Sequence, residues 1–469
     1  MVKMMTFGEF LKECIEKRNL SVANLTKESG VNRGKLYYVF DDKRKLTVDE
    51  LDAIIDGAGI AGAEAERLID LFFREKFGDD EFERVKCLEN ALKRENCAVK
   101  PCPLPPCKDS VVGAINDRDA LADAVVYLFA NDEDIITNYS FLDKKIDETV
   151  FSCVMNGGEK KLAAHIMLFS NENAGTDNIE TIFASLKFLY NGFFPLYRHA
   201  DIVRMKYMNM FPYWFVGRKY AVLYGDGKGI VIDDPDAVRT VYAAALTETE
   251  KCVPFGVHND DIMFIKDIHA KKDGKYGCIR LNMSSIPCLG GFADYEFIYN
   301  VAKEELPDRE MLAKIAYRYY DDIFTDSVKI TSCGGMRRFA ETGLVQEIPA
   351  ALVNAASVAD RVRLLKTLIE AVNDGRLFLT DDEKFEMCPG LAVAVHAKGI
   401  FLSGADCTKE PIFEVEKFIV DIEDIGLVKT FGELGEYIIR SGKVFSKEYA
   451  ASFTEELVIE LESRLQSHG

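Results

Sequence analysis

The spacing of apolar positions divides the chain into a helical N-terminal part and a longer part of short apolar runs. Residues 20–46, LSVANLTKESGVNRGKLYYVFDDKRKL, predict two short helices, a tight turn between them and a basic loop after them. Ser21 is placed to cap the first helix, Val22, Leu25 and Thr26 share a face, and Gly30 ends it where a positive φ suits glycine best. Asn32 caps the second. Leu36, Val39 and Phe40 form its inward stripe, and Arg33, Gly34, Tyr37 and Tyr38 are left outside. Thr47 with Glu50 three residues on is a capping box for a helix to Asp56. An apolar helix over Ala63–Phe77 and a charged one over Asp80–Asn96 follow.

Four prolines between Pro101 and Pro106 then predict a stiff extended spacer. Beyond it, helices are expected at 119–129, 179–190, 236–247, 310–324, 358–372, 431–439 and 447–465. Strands are expected at 220–224, 229–233, 377–380, 391–396 and 400–403, with a further apolar segment over 412–422. Gly225-Asp226-Gly227-Lys228 reads as a hairpin turn because strand-like residues flank it, whereas a phosphate loop runs from a strand into a helix. Hairpin-then-helix occurs twice, at 213–247 and 391–440, which hints at two related α/β modules.

The residues Leu20, Ser21, Leu25, Ser29-Gly30-Val31, Arg33, Leu36, Lys43-Arg44 and the helix Val48–Ile55 resemble the Cro/repressor-type (XRE) helix-turn-helix family over Phe7–Phe73, about a seventh of the chain. The chain departs from that family at Val22, Thr26 and Gly34. The resemblance implies an all-α five-helix DNA-binding domain, followed here by a large α+β (mixed α/β) C-terminal region in a multidomain chain. The expected divisions are 1–78 for the helix-turn-helix domain, 79–110 for a helical and Pro/Cys-rich linker, 111–345 for a mixed α/β sensor domain and 346–469 for an α+β sensor or dimerisation domain. In this reading Asn32, Arg33, Gly34, Lys35, Tyr37 and Tyr38 lie against the groove, and Lys43, Arg44 and Lys45 hold phosphates.

Charge partition agrees with that expectation. Residues 1–48 hold ten Lys and Arg against six Asp and Glu, whereas the whole chain carries −19. With 469 residues, two or three domains are expected. No apolar run approaches the ~20 residues of a membrane span, so a cytoplasmic protein with mostly reduced cysteines is expected. Cys153, Cys252, Cys278 and Cys388 read as small core residues. Cys97, Cys102 and Cys107 flank the proline spacer at equal intervals, compatible with a metal site completed by Cys87, a redox disulfide or neither.

The chain lacks HExxH, GxxxxGK[ST] and GxSxG, which removes zinc-protease, P-loop and nucleophile-elbow chemistry. His165, His199, His258, His269 and His396 show no ligand spacing, and His396 reads as a core or edge residue of a strand. Cys333-Gly334-Gly335-Met336-Arg337-Arg338 reads as a loop with a surface arginine pair, a reactive cysteine or anion cradle being the sharper alternatives. Arg204, Tyr207, Tyr213 and Trp214 are the candidate ligand pocket. The expectation is thus a non-enzymatic transcriptional regulator, without catalytic residues, metal or cofactor. Its expected partners are operator double-stranded DNA, a second copy in a homodimer, and a small-molecule or peptide effector. The alternative is an enzyme or toxin-system component whose helix-turn-helix only autoregulates or docks a protein partner. A peptide-responsive quorum-sensing regulator fits less well, because no 34-residue helical period follows Pro106.

Overall fold

A computed structural model describes residues 5–93, 103, 106–139, 144–157, 162–170, 176–200, 210–258, 278–345, 348, 352–405 and 417–467. Within them the chain is a mixed α/β protein of sixteen helices and two mixed sheets. No helix among these residues is long and apolar enough to cross a membrane.

The N-terminal helices are α1 (Phe7–Lys17), α2 (Val22–Ser29), α3 (Arg33–Phe40), α4 (Val48–Ala58), α5 (Ala63–Phe77) and α6 (Asp79–Ala91). Their caps follow the residues expected to make them. Ser21 Oγ accepts from Asn24 N–H, Asn32 Oδ1 from Gly34 and Lys35 N–H, and Thr47 and Glu50 form a reciprocal box. Gly30 takes a left-handed φ of 70° between α2 and α3.

The first sheet has the order β1-β7-β6-β5-β2-β3-β4-β8. Its strands are β1 (Gly113–Ile115), β2 (Ile135–Asn138), β3 (Leu162–Ser170), β4 (Leu196–Ala200), β5 (Tyr213–Val216), β6 (Ala221–Gly225), β7 (Lys228–Ile232) and β8 (Val253–Pro254). Helices α7 (Arg118–Asn131), α8 (Lys144–Gly157), α9 (Asp177–Tyr190) and α10 (Pro235–Thr249) connect them. The β6–β7 turn has positive φ at Asp226 (47°) and Gly227 (78°), the conformation a tight hairpin demands.

The second sheet has the order β12-β11-β10-β13-β14-β15-β9. It contains β9 (Val257–His258), β10 (Leu281–Ser284), β11 (Val328–Ser332), β12 (Leu377–Thr380), β13 (Leu391–Val395), β14 (Ile400–Ala405) and β15 (Lys417–Ile422). Its helices are α11 (Tyr295–Val301), α12 (Arg309–Phe324), α13 (Cys333–Thr342), α14 (Val358–Asn373), α15 (Ile425–Arg440) and α16 (Lys447–Ser467).

Both sheets follow one path. An opening strand lies antiparallel to the last of the series, β1 on β7 and β9 on β15. Three parallel strands come next, β2-β3-β4 and β10-β11-β12. The following strand folds back antiparallel on the first of the three, β5 on β2 and β13 on β10, and two more extend it outward. An Asp-capped helix then starts, at Asp234 after Ile232 and at Asp424 after Ile422. The chain finally returns to the far edge, as β8 on β4 and as the antiparallel bridge of Val444 to Thr380. The reversals match as well: Gly217 N–H donates to Tyr220 O at 2.9 Å, and His396 N–H to Gly399 O at 3.0 Å. This agreement extends the hint of two modules from a hairpin and a helix to the whole sheet.

The boundary expected at 345/346 is corrected by the same topology. Strands β10 and β11 precede it and pair with β12 and β13 beyond it, so the second sheet runs across it. The expected five-helix unit also gains α6, which packs on α5 and α15 within a core continuous with the second sheet. Tyr437 of α15, 1% exposed, fastens the two. Its hydroxyl donates to Asp70 at 2.6 Å, and its ring meets Phe73 and Phe82 at 5.4 and 6.0 Å. Glu81 accepts from Thr430 at 2.7 Å and Lys429 at 2.9 Å across the same junction.

Candidate functional site

The inner parallel strands of the first sheet place Thr137 on β2 directly beside His165 on β3. Thr137 Oγ1 and His165 Nδ1 lie 2.8 Å apart. Tyr139, just past β2, sets its ring 4.7 Å from the imidazole. Asp147 in the first turn of α8 and Lys187 in the last turn of α9 cover this face, with Nζ 3.6 Å from Oδ2. The lysine stem runs between apolar neighbours, its amine 5.6 Å from the Phe151 ring and 5.7 Å from Phe188. Tyr139, Asp147, His165 and Lys187 are all buried. With Met167, Thr181, Ala184, Ser185 and Phe188, three of them (Tyr139, Asp147 and His165) line a cavity of about 10 Å³, room for a single water.

Burial moves the titrations apart. It lowers the Lys187 amine, against the pull of Asp147. Burial, seconded by the Asp147 carboxylate, holds the Tyr139 phenol well above its ordinary value. His165 falls to about 3 through burial and then the Lys187 charge, so its imidazole stays neutral at pH 7. An amine lowered by burial and a phenol raised by burial around one carboxylate constitute an acid–base arrangement.

In the second sheet the same register places Asn282 beside Lys329 and Ser284 beside Thr331. All four are buried. Lys329 Nζ turns to Ser327 Oγ at 2.7 Å and Phe324 O at 3.0 Å, above the Phe292 ring at 4.2 Å. Asn282 Oδ1, Ser284 Oγ and Thr331 Oγ1 make no hydrogen bond among the described residues.

The expected ligand pocket does not form as a unit. Arg204 and Tyr207 lie outside the described residues. Tyr213 and Trp214 are neighbours on β5 and point to opposite faces, into two different cores. The segment from Cys333 is corrected from a loop to the start of α13, capped by Ser332. Asp382 already accepts from Gly334 N–H at 2.8 Å there, and burial pushes the Cys333 thiol up to about 12, which removes both the anion cradle and the reactive cysteine. Cys388, expected to be a small core residue, is disulfide-bonded, while Cys87 and Cys107 are free thiols. Cys97 and Cys102 lie outside the described residues. His396 is buried against Phe401, as expected of a core histidine. No group of three His, Cys, Asp or Glu among the described residues is placed to hold a metal.

Around α3, Arg33, Tyr37 and Tyr38 are exposed as expected. Lys35 is not. Its amine reaches the Glu50 carboxylate of α4 at 2.5 Å. Asn32 is occupied as the cap beside Gly34, Lys43 pairs with Asp41 at 2.9 Å, and Lys45 donates to Glu75 O at 2.6 Å. Arg44 is exposed. Residues 5–92, which hold α1–α6, carry fourteen Lys and Arg against nineteen Asp and Glu, so the helical unit is net acidic.

No protein-family model and no curated protein matches the chain. Among solved structures, it is similar to the crystal structure of phosphatidylserine synthase from Haemophilus influenzae Rd KW20, at 12% identity, over 82% of this chain and 98% of that one, with a TM-score of 0.25. That protein is an enzyme, and at this TM-score the likeness lends this chain neither fold nor activity. The expectation of a sequence-specific DNA-binding regulator is corrected here: Lys35, Lys43 and Lys45 are already paired and the helical unit is net acidic, which withdraws the electrostatic basis on which the expectation rested.

Proposed function

We infer that the chain is an enzyme that transfers a proton to or from a water-sized polar substrate at the Tyr139–Asp147–His165–Lys187 cluster. The N-terminal helices act as a lobe fixed to the α/β body. One observation carries the reading: a buried amine with lowered pKa, 3.6 Å from Asp147, and a buried phenol that the same carboxylate helps to raise share one site. Pairs of titratable groups pushed apart in this way assign the acid and the base. Lys187 takes the proton, Tyr139 supplies one, and Asp147 holds the lysine in place. His165, neutral and bonded to Thr137, fixes the phenol ring from beneath.

The test is a thermal-shift screen of the full chain against the smallest polar compounds, among them ammonium, hydroxylamine and formate, repeated with Tyr139→Phe and Lys187→Met. The reading expects a compound class that raises Tm of the wild type and loses that effect in both variants. Ligands that stabilise all three proteins equally would overturn it, as would a screen with no ligand at all.

A further inference from the structure

His165 has one polar atom left over. Its Nδ1 lies 2.8 Å from Thr137 Oγ1. The rings of Tyr139 and Phe188 stand 4.7 and 5.5 Å from the imidazole, each inclined at 40°, and hold its orientation. Nε2 makes no hydrogen bond among the described residues, and the ring lines the water-sized cavity. Asp147, the one carboxylate of that lining, is engaged by Lys187 and makes no bond to the ring.

Thr137 decides which nitrogen carries the proton. The threonine is fully buried, and its hydroxyl makes no second hydrogen bond among the described residues. If Nδ1 carried the proton and donated to Oγ1, the hydroxyl hydrogen would be buried without an acceptor, which is penalised. Donating that hydrogen to Nδ1 satisfies both atoms and leaves the proton of the neutral ring on Nε2.

We propose that Thr137 fixes His165 in the Nε2–H form and that this N–H is the hydrogen-bond donor to the substrate, so that the cavity takes a water-sized molecule bearing a lone pair and rejects one that has none. The inference rests on the acid–base reading of the same cluster. His165 touches the substrate, and Thr137 is a positioning residue that acts through it. When Lys187 takes a proton from the substrate, negative charge collects on the atom facing Nε2. A donor already in place stabilises that charge without reorganisation.

The experiment records long-range ¹H–¹⁵N correlations of the ¹⁵N-histidine-labelled full chain at pH 7, with His165 assigned through His165→Phe. Hydroxylamine, formate and ammonium, the last without a lone pair, are then added, and Tm is measured in parallel. The proposal expects a proton on Nε2 and none on Nδ1. It expects Nε2 to shift with whichever of hydroxylamine and formate raises Tm, and no response to ammonium. Folded His165→Phe, checked by thermal unfolding, is expected to bind that compound about tenfold more weakly. A proton on Nδ1, a rise in Tm with ammonium alone, or a compound that raises Tm while Nε2 stays unmoved would overturn the donor role and leave the acid–base reading standing. No rise in Tm with any compound would overturn that reading, and this proposal with it.

Discussion

Across the two inner parallel strands of the first sheet, Thr137 faces His165; across those of the second, Asn282 faces Lys329. The path of the chain is the same, and the chemistry gathered on it is not. In the first sheet α8 and α9 each bring a charged group to the face, Asp147 and Lys187, and a cavity remains among them. In the second, the lysine grows from the strand itself and bends to Ser327 and a carbonyl. One frame has thus produced a cluster with separated acid and base, and a buried lysine that serves as structural glue. The fold supplies two interior positions per sheet, and the covering helices decide what those positions do.

The largest expected effect breaks the first cluster alone. Asp147→Asn leaves the buried Lys187 without its carboxylate and is expected to destabilise the protein by about 3–5 kcal/mol. Lys329→Met in the second sheet removes a lysine whose amine bonds Ser327 Oγ and Phe324 O, leaves no buried charge behind, and is expected to cost less. Urea unfolding of both variants checks the order. If Lys329→Met costs as much, the two sites do not differ in kind.

Next comes a dependence on pH. His165 binds a proton in the unfolded chain near pH 6.5 but in the folded chain only at about 3. Between these values the unfolded state holds more protons, so stability rises with pH and is lost as pH falls through the window. The loss is about 3 kcal/mol between pH 6.5 and pH 4. His165→Gln is expected to flatten that part of the stability profile. An unchanged slope contradicts the buried neutral imidazole.

A pair of matched threonines follows. Thr137→Val strips the partner from His165 Nδ1 and is expected to cost about 1–3 kcal/mol. Thr331→Val removes a buried hydroxyl that has no partner, and its effect is expected to be neutral or mildly stabilising. A loss at Thr331 as large as that at Thr137 would mean that the hydroxyls of the second sheet hold a bound molecule.

The smallest effect lies at the junction of lobe and body. Burial and then Glu81 raise the Glu433 carboxyl to about 7. Folded Glu433 therefore holds its proton between pH 4.5 and 7, and the junction loses stability as pH rises through that range. Glu433→Gln is expected to raise Tm at pH 8 and leave it unchanged at pH 5, measured by calorimetry.

Much of the periphery was legible in the sequence, and the interior was not. The expected helix at 358–372 is observed at Val358–Asn373, the hairpin around Asp226 at Ala221–Ile232, and the Ser21, Asn32 and Thr47 caps are all made. These elements announce themselves through helical periodicity, turn residues and caps. Strands β2, β10 and β11 went unread because they are short and carry Thr137, Asn138, Asn282 and Lys329 inside an apolar run, and β3 because its buried stretch is not alternating. The candidate site failed for the same reason. Its residues sit on two strands and two helices with no fixed spacing, and His165 looked merely scattered. One signal was available: Lys187 stands in Ser185-Leu186-Lys187-Phe188-Leu189, a lysine inside an otherwise buried helical face. The helix-turn-helix pattern misled about function because it records local geometry; the pairing of Lys35 with Glu50 and the acidic α4–α6 come from folding.

The most direct measurement is the titration of Lys187 itself, by NMR of its Cε methylene in the ¹³C-lysine-labelled full chain, assigned with Lys187→Arg. The account predicts a pKa below the 10.5 of an exposed lysine, returning toward that value only on unfolding. A folded-state pKa at or above 10.5 would make the Asp147–Lys187 pair an ordinary ion pair and contradict the assignment of Lys187 as the base.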